Sequence, residues 1–172
     1  MPRCYWALEQ GSVSADIIVV GGGIVGASFA LQSNFQIVVV DRHPPAGVAL
    51  DGEFDHRVYA LTPTNMDLLQ RLDLFQSSDR ARLCPIRAME IFSDKQAKLA
   101  FSARSAQRRE LAVMIEHGLL ARRLTDKLST ANHVQYLSHC APTSVDIHAD
   151  GVSLTLEDGT KINANLLVGV SA

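Results

Sequence analysis

The chain has 172 residues, 47% of them hydrophobic and 20% charged, with a formal net charge of -2. That length supports a domain with a proper core, and the composition is that of an ordinary globular protein. The nearly balanced charge gives no basic bias toward nucleic acid, and no uninterrupted apolar run is long enough to span a bilayer.

Residues 1–15 carry neither the apolar core of a signal peptide nor the Arg/Ser bias of a transit peptide, and read as an N-terminal extension. From residue 16 to residue 172 we expect one compact domain. It opens with Asp16-Ile17-Ile18-Val19-Val20, a short β-branched run of the kind found in buried parallel strands. Gly21-Gly22-Gly23-Ile24-Val25-Gly26 follows, then the helix-compatible Ala27-Ser28-Phe29-Ala30-Leu31. A second apolar strand, Gln36 to Val40, ends on Asp41. Strand, glycine turn, helix, strand and terminal acid come in the order of a dinucleotide-binding βαβ unit. Gly21 permits a tight turn, Gly23 close approach of the backbone to a pyrophosphate, and Gly26 close packing of helix on strand. The helix N-terminus offers unpaired N–H groups to phosphate, and Asp41 can accept from a ribose diol. This unit alone does not separate FAD from NAD, since both contain adenosine diphosphate.

After Arg42, the pair Pro44-Pro45 ends the strand, and residues 48–57 read as an acidic loop. Thr62-Pro63 starts a helix with Met66, Leu68, Leu69, Leu72 and Leu74 as its apolar stripe. Residues 86–92 and 98–101 suggest a projecting antiparallel hairpin. Ile115, Leu119, Leu120, Leu124 and Leu128 fall at helical spacing and predict a helix over 115–130. Val134 to Leu137 is a short strand. Alternating residues around Asp150-Gly151 make a hairpin, and Ile162 to Val168 returns as a last apolar strand. Cys4, Cys84 and Cys140 are far apart with no CxxC pair, which suits a reducing compartment. Only His139-Cys140 are adjacent, and strand neighbours face opposite ways, so no metal site is assigned.

The chain resembles the N-terminal part of the FAD-dependent aromatic-ring monooxygenases of the para-hydroxybenzoate hydroxylase type, and most of all their ubiquinone-biosynthesis branch. The residues that carry the resemblance are Asp16 to Ala27, Val40-Asp41-Arg42, Arg57-Val58-Tyr59-Ala60-Leu61, Cys84 to Phe92, Asp158-Gly159 and Leu166-Leu167-Val168-Gly169. It implies an α/β fold: a Rossmann-like FAD-binding βαβ core with an inserted antiparallel hairpin and meander. The fifteen positions from Gly26 to Asp41 imply a first helix shorter than the family's by about one turn.

The resemblance also implies an activity. FAD would take hydride from NAD(P)H as co-substrate and activate dioxygen to hydroxylate a phenolic ring, here a polyprenylated ubiquinone precursor. Gly21 to Gly26, Ile24 and Val25 included, would cradle the FAD pyrophosphate, and Asp41 would bind the adenosine ribose. Arg57 would lie beside the flavin and its phosphates. Arg42 is open between adenine stacking, phosphate contact and the surface. No residue is assigned a catalytic role; His117, where relatives often carry asparagine, is read as packed or solvated. The family's chains are about twice as long by this resemblance, so we expect a fold truncated before its second half. A non-catalytic nucleotide-binding fragment is the alternative reading. The expected location is cytoplasmic, with contact at the periphery of the inner membrane or within a biosynthetic complex left open.

Overall fold

The computed structural model describes residues 12–43, 54–94 and 97–170. In chain order the elements are β1 (Ser12–Val20), α1 (Ile24–Gln32), β2 (Ile37–Asp41), β3 (Val58–Leu61), α2 (Pro63–Arg71) and a 3-10 turn over Ser77–Arg82. Then come β4 (Cys84–Ile86), β5 (Ala88–Phe92), β6 (Lys98–Ser102), β7 (Ala112–Glu116) and α3 (His117–Leu128). The chain finishes with β8 (Val134–Ser138), β9 (Pro142–His148), β10 (Gly151–Leu156) and β11 (Lys161–Gly169). Two compact units result, one from residues 1–47 with 121–172 and the other from 48–120, where the sequence suggested a single one.

The first unit is built on a six-stranded sheet of order β8-β2-β1-β11-β10-β9. β8, β2, β1 and β11 are parallel; β10 and β9 extend the sheet as an antiparallel meander. The parallel strands are β-branched because both their faces must be covered: Ile18, Val19, Val38, Val39 and Val40 are all but inaccessible. Full burial of one such side chain contributes about 1.5–3 kcal/mol. On the meander the pattern changes to alternation, with Val152, Leu154 and Leu156 turned inward beside Ile162 and Ala164. The nine-residue α1 presents Gly26, Ala27, Ala30 and Leu31 to the core. Its small residues allow it to lie close to β1.

In the second unit β7 is the centre of a three-stranded antiparallel sheet, flanked by β3 and β4. The hydroxyl of Thr62 accepts from the Asn65 N–H at 3.4 Å to cap α2, and Pro63 takes the first helical position as expected. β5 and β6 form a separate hairpin in which Met89 faces Phe101 and Ile91 faces Leu99; all four are exposed.

Several expectations are corrected. β1 begins at Ser12, so the boundary expected after residue 15 falls inside a strand. The run 86–92 breaks at Arg87, whose carbonyl accepts from Ala103 N–H; the residues before it pair with β7 and those after it with β6. Ile115 belongs to a strand, and the helix expected from residue 115 starts at His117. Cys84 is an exposed free thiol.

Candidate functional site

At the C-terminal end of β1 the backbone turns sharply. Gly21 has φ +109°, in the region that side chains disfavour, and a Cβ there would lie 2.5 Å from the carbonyl oxygen of Val170. Its N–H donates to the Val40 carbonyl at 2.9 Å, and Val170 N–H donates to the Val20 carbonyl at 2.9 Å, so the turn is fixed to both neighbouring strands. A Cβ on Gly26 would collide with the Gly21 carbonyl oxygen. Gly21 and Gly26 are therefore required by the protein's own packing.

Gly23 differs from both. A Cβ on it would meet nothing within 4 Å, and its φ is an ordinary -64°. Gly23 is the N-cap of α1 and provides no side-chain cap, and the first turn of the helix contains no acidic residue. Its carbonyl accepts from Ala27 N–H at 2.8 Å. By helix geometry the N–H groups of the first turn have no acceptor within the helix. Gly23 and Val25 are exposed, Ile24 is half-buried, and Gly22 and Gly26 are buried. The result is an open, uncapped helix end carrying partial positive charge beside an exposed glycine. Such an end can hold an anion against the backbone.

Asp41, at the end of β2, lies next to Gly22: a Cβ on Gly22 would come within 2.7 Å of its Oδ2. The carboxylate already has two donors, His43 N–H at 3.1 Å on Oδ1 and the Tyr136 hydroxyl at 3.4 Å on Oδ2. Burial first, and then the Asp41 charge and hydrogen bond, hold the Tyr136 phenol well above its ordinary acidity value. Tyr136 escaped the sequence reading; the available signal was an aromatic residue inside an otherwise small, four-residue strand pattern. The Arg42 guanidinium is 4.0 Å from the Glu157 carboxylate, with both side chains mostly exposed. A pair of that kind contributes about 0–1 kcal/mol and leaves the arginine able to move.

The structure thus brings Gly21 to Gly26, Asp41 and Arg42 together in the first unit, while Arg57 is carried by the second. There the Arg57 side chain is exposed, its N–H donates to Asp55 at 2.9 Å, and its carbonyl accepts from His117 N–H at 2.8 Å. His117 Nδ1 lies 3.1 Å from the Tyr59 hydroxyl. Among the described residues no cluster of three or more His, Cys, Asp and Glu is arranged to hold a metal ion. Among them, too, no helix is long and apolar enough to cross a membrane.

No protein-family model matches the chain. It is 28% identical over 157 residues to the 3-demethoxyubiquinol 3-hydroxylase of Escherichia coli K12, a match covering 90% of this chain and 40% of that protein. It is 27% identical over 158 residues to the ubiquinone hydroxylase UbiL of Rhodospirillum rubrum, covering 90% of this chain and 36% of that one. Among solved structures it resembles PqsL of Pseudomonas aeruginosa, a probable FAD-dependent monooxygenase, with a TM-score of 0.72 at 19% identity over 92% of this chain and 43% of that one. It also resembles the p-nitrophenol 4-monooxygenase PnpA of Pseudomonas putida, with a TM-score of 0.70 at 18% identity over 95% and 42%. The chain spans about 40% of the length of the curated relatives it matches. Its fold is the one expected from the sequence, that of part of the FAD-dependent monooxygenases, and its sequence is related to the ubiquinone hydroxylases.

Proposed function

We propose that this chain provides the adenosine-diphosphate-binding part of an FAD-dependent, NAD(P)H-using enzyme that hydroxylates a phenolic, polyprenylated ubiquinone precursor. The observation that carries the reading is the steric contrast within the glycine turn. Two of its glycines are filled in by the protein's own backbone, while Gly23 faces open space at an uncapped helix end. The likeness to ubiquinone hydroxylases supports the substrate class, and that to FAD-dependent monooxygenases supports the cofactor.

In this reading Gly21, Gly22 and Gly26 set the turn, and the N–H groups following Gly23, at Ile24 and Val25, meet the FAD pyrophosphate. Asp41 receives the ribose hydroxyls. Arg42 can leave Glu157 to meet adenine or phosphate, and the exposed Arg57 offers a cation to the flavin side. When bound, FAD supplies the redox chemistry: hydride acceptance from NAD(P)H and oxygen activation. This chain's own residues bind, orient and neutralise; none is assigned a catalytic step. The proposed setting is the cytoplasm, with the periphery of the inner membrane or a biosynthetic complex as the place where a polyprenylated substrate is met.

Gly23→Val tests the assignment. Because nothing stands within 4 Å of an added Cβ, the loss of stability should be no more than about 1 kcal/mol, the cost of an apolar N-cap, while FAD retention, read from flavin absorbance after gel filtration, should be lost. Equal flavin retention by the two proteins would overturn the assignment.

A further inference from the structure

Asp41, Tyr136 and Gly22 form a contact set in the first unit that the nucleotide reading does not by itself explain. A carboxylate offers about four acceptor sites, two on each oxygen. Here one on Oδ1 is taken by His43 N–H and one on Oδ2 by the Tyr136 hydroxyl. Each oxygen thereby keeps one site, which matches a pair of adjacent hydroxyls. The Tyr136 ring is itself held close: a Cβ on Gly22 would lie 2.9 Å from its Cε2, besides 2.7 Å from Asp41 Oδ2. Gly22 has no positive φ, in contrast to Gly21. Its lack of a side chain serves the tyrosine–aspartate pair and not the turn.

We propose that Tyr136 is a positioning and specificity-determining residue for the nucleotide ribose. It orients Asp41 so that binding depends on both ribose hydroxyls, and Gly22 is small to permit this. The inference rests on the nucleotide-binding reading above. The phenol donates to Oδ2 of the carboxylate and so favours one rotation of it about the Cβ–Cγ bond. Loss of the donor should therefore reduce discrimination between riboses and leave the phosphate contacts of the helix end alone. Burial and the Asp41 charge raise the Tyr136 phenol above its ordinary value, in keeping with a protonated, donating hydroxyl.

The test is calorimetric titration of the full chain with ADP and with 2′-deoxy-ADP. Wild type should bind ADP about tenfold more tightly than the deoxy analogue, the scale of one hydrogen bond to a charged group. Tyr136→Phe should bring that ratio down to about two, with the affinity for 2′-deoxy-ADP unchanged. Gly22→Ala, which keeps the phenol but intrudes on Oδ2, should do the same and serves if Tyr136→Phe folds poorly. A purely structural role would weaken both nucleotides by the same factor. That result, or a wild-type ratio in both variants, overturns the inference. Wild-type protein that binds neither nucleotide overturns the nucleotide reading and this inference with it.

Discussion

Two helices follow directly behind a strand, α1 behind β1 and α3 behind β7, and their N-terminal ends are treated in opposite ways. At the start of α1 the strand stops, three glycines turn the chain, and the first turn is left without a side-chain cap or an acid. At the start of α3 the strand β7 runs into the helix without any intervening turn. There the end is closed: Gly118 N–H donates to Asp55 Oδ2 at 2.9 Å, and His117 N–H donates to the Arg57 carbonyl at 2.8 Å. Asp55 is held in turn, its own N–H donating to the Glu116 carboxylate at 2.7 Å. Glu116 is buried and ion-paired with Arg82 at 3.3 Å, and the Arg82 guanidinium lies 4.9 Å from the Phe54 ring centre. One helix end thus has its negative partner built in, and the other is kept vacant of one. The vacant end is where an external anion has something to gain.

The sharpest way to break this contrast is at Glu116. Glu116→Ala removes one partner of a buried ion pair together with the acceptor that holds Asp55, and should cost about 3–5 kcal/mol, read as a lower denaturant midpoint. A midpoint unchanged within error would mean that the closed end does not depend on this network. On the open side, Gly26→Ala drives a methyl group into the Gly21 carbonyl, where only backbone can yield. Overpacking of that kind should cost about 1–3 kcal/mol, in contrast to the tolerance expected at Gly23. Equal stability of the Gly26 and Gly23 variants would erase the distinction between glycines needed by the fold and the glycine left for a ligand.

The smallest effect concerns acid. Hydrogen bonds from Arg57 N–H and then Gly118 N–H hold the Asp55 carboxyl below its ordinary value of 3.8. Since the folded value is depressed, its contribution is present above that ordinary value and is lost as pH falls through the lower folded one. Asp55→Asn should therefore flatten the fall in melting temperature between about pH 4 and pH 2. Parallel melting curves for the two proteins in that range would remove Asp55 from the acid response.

The two ends were not equally legible in the sequence. The open end is local: the β-branched strands, the glycines and Asp41 lie within one stretch, and the spacing alone places them. The closed end is not. Its cap comes from Asp55, 63 positions from Gly118, and no periodicity reports a partner at that distance. For the same reason β7 was missed: Ala112 to Ile115 is apolar throughout, the helix follows with no Gly or Pro between, and Ile115 fits either period. Tyr136 was hidden in the same way, since its meaning depends on Asp41, 95 positions away. Asp41 itself was read correctly as the acid ending β2, but nothing local indicated that it has an orienting neighbour.

The position of β1 between β2 and β11 has a consequence for how the chain is made. Ser12 pairs with Lys161 and Val20 with Gly169, so one flank of the central strand must wait for a segment roughly 150 residues downstream. At a synthesis rate of about 5–20 residues per second, the ribosome needs on the order of 10–30 s to deliver it. Throughout that interval β1 carries an unpaired, β-branched edge, the kind of surface that recruits other nascent chains. The strand that anchors the glycine turn can form early beside β2, yet it becomes a central strand only when β11 emerges. Yield on expression should therefore respond to chaperone supply and translation speed more than to any single contact in the finished sheet.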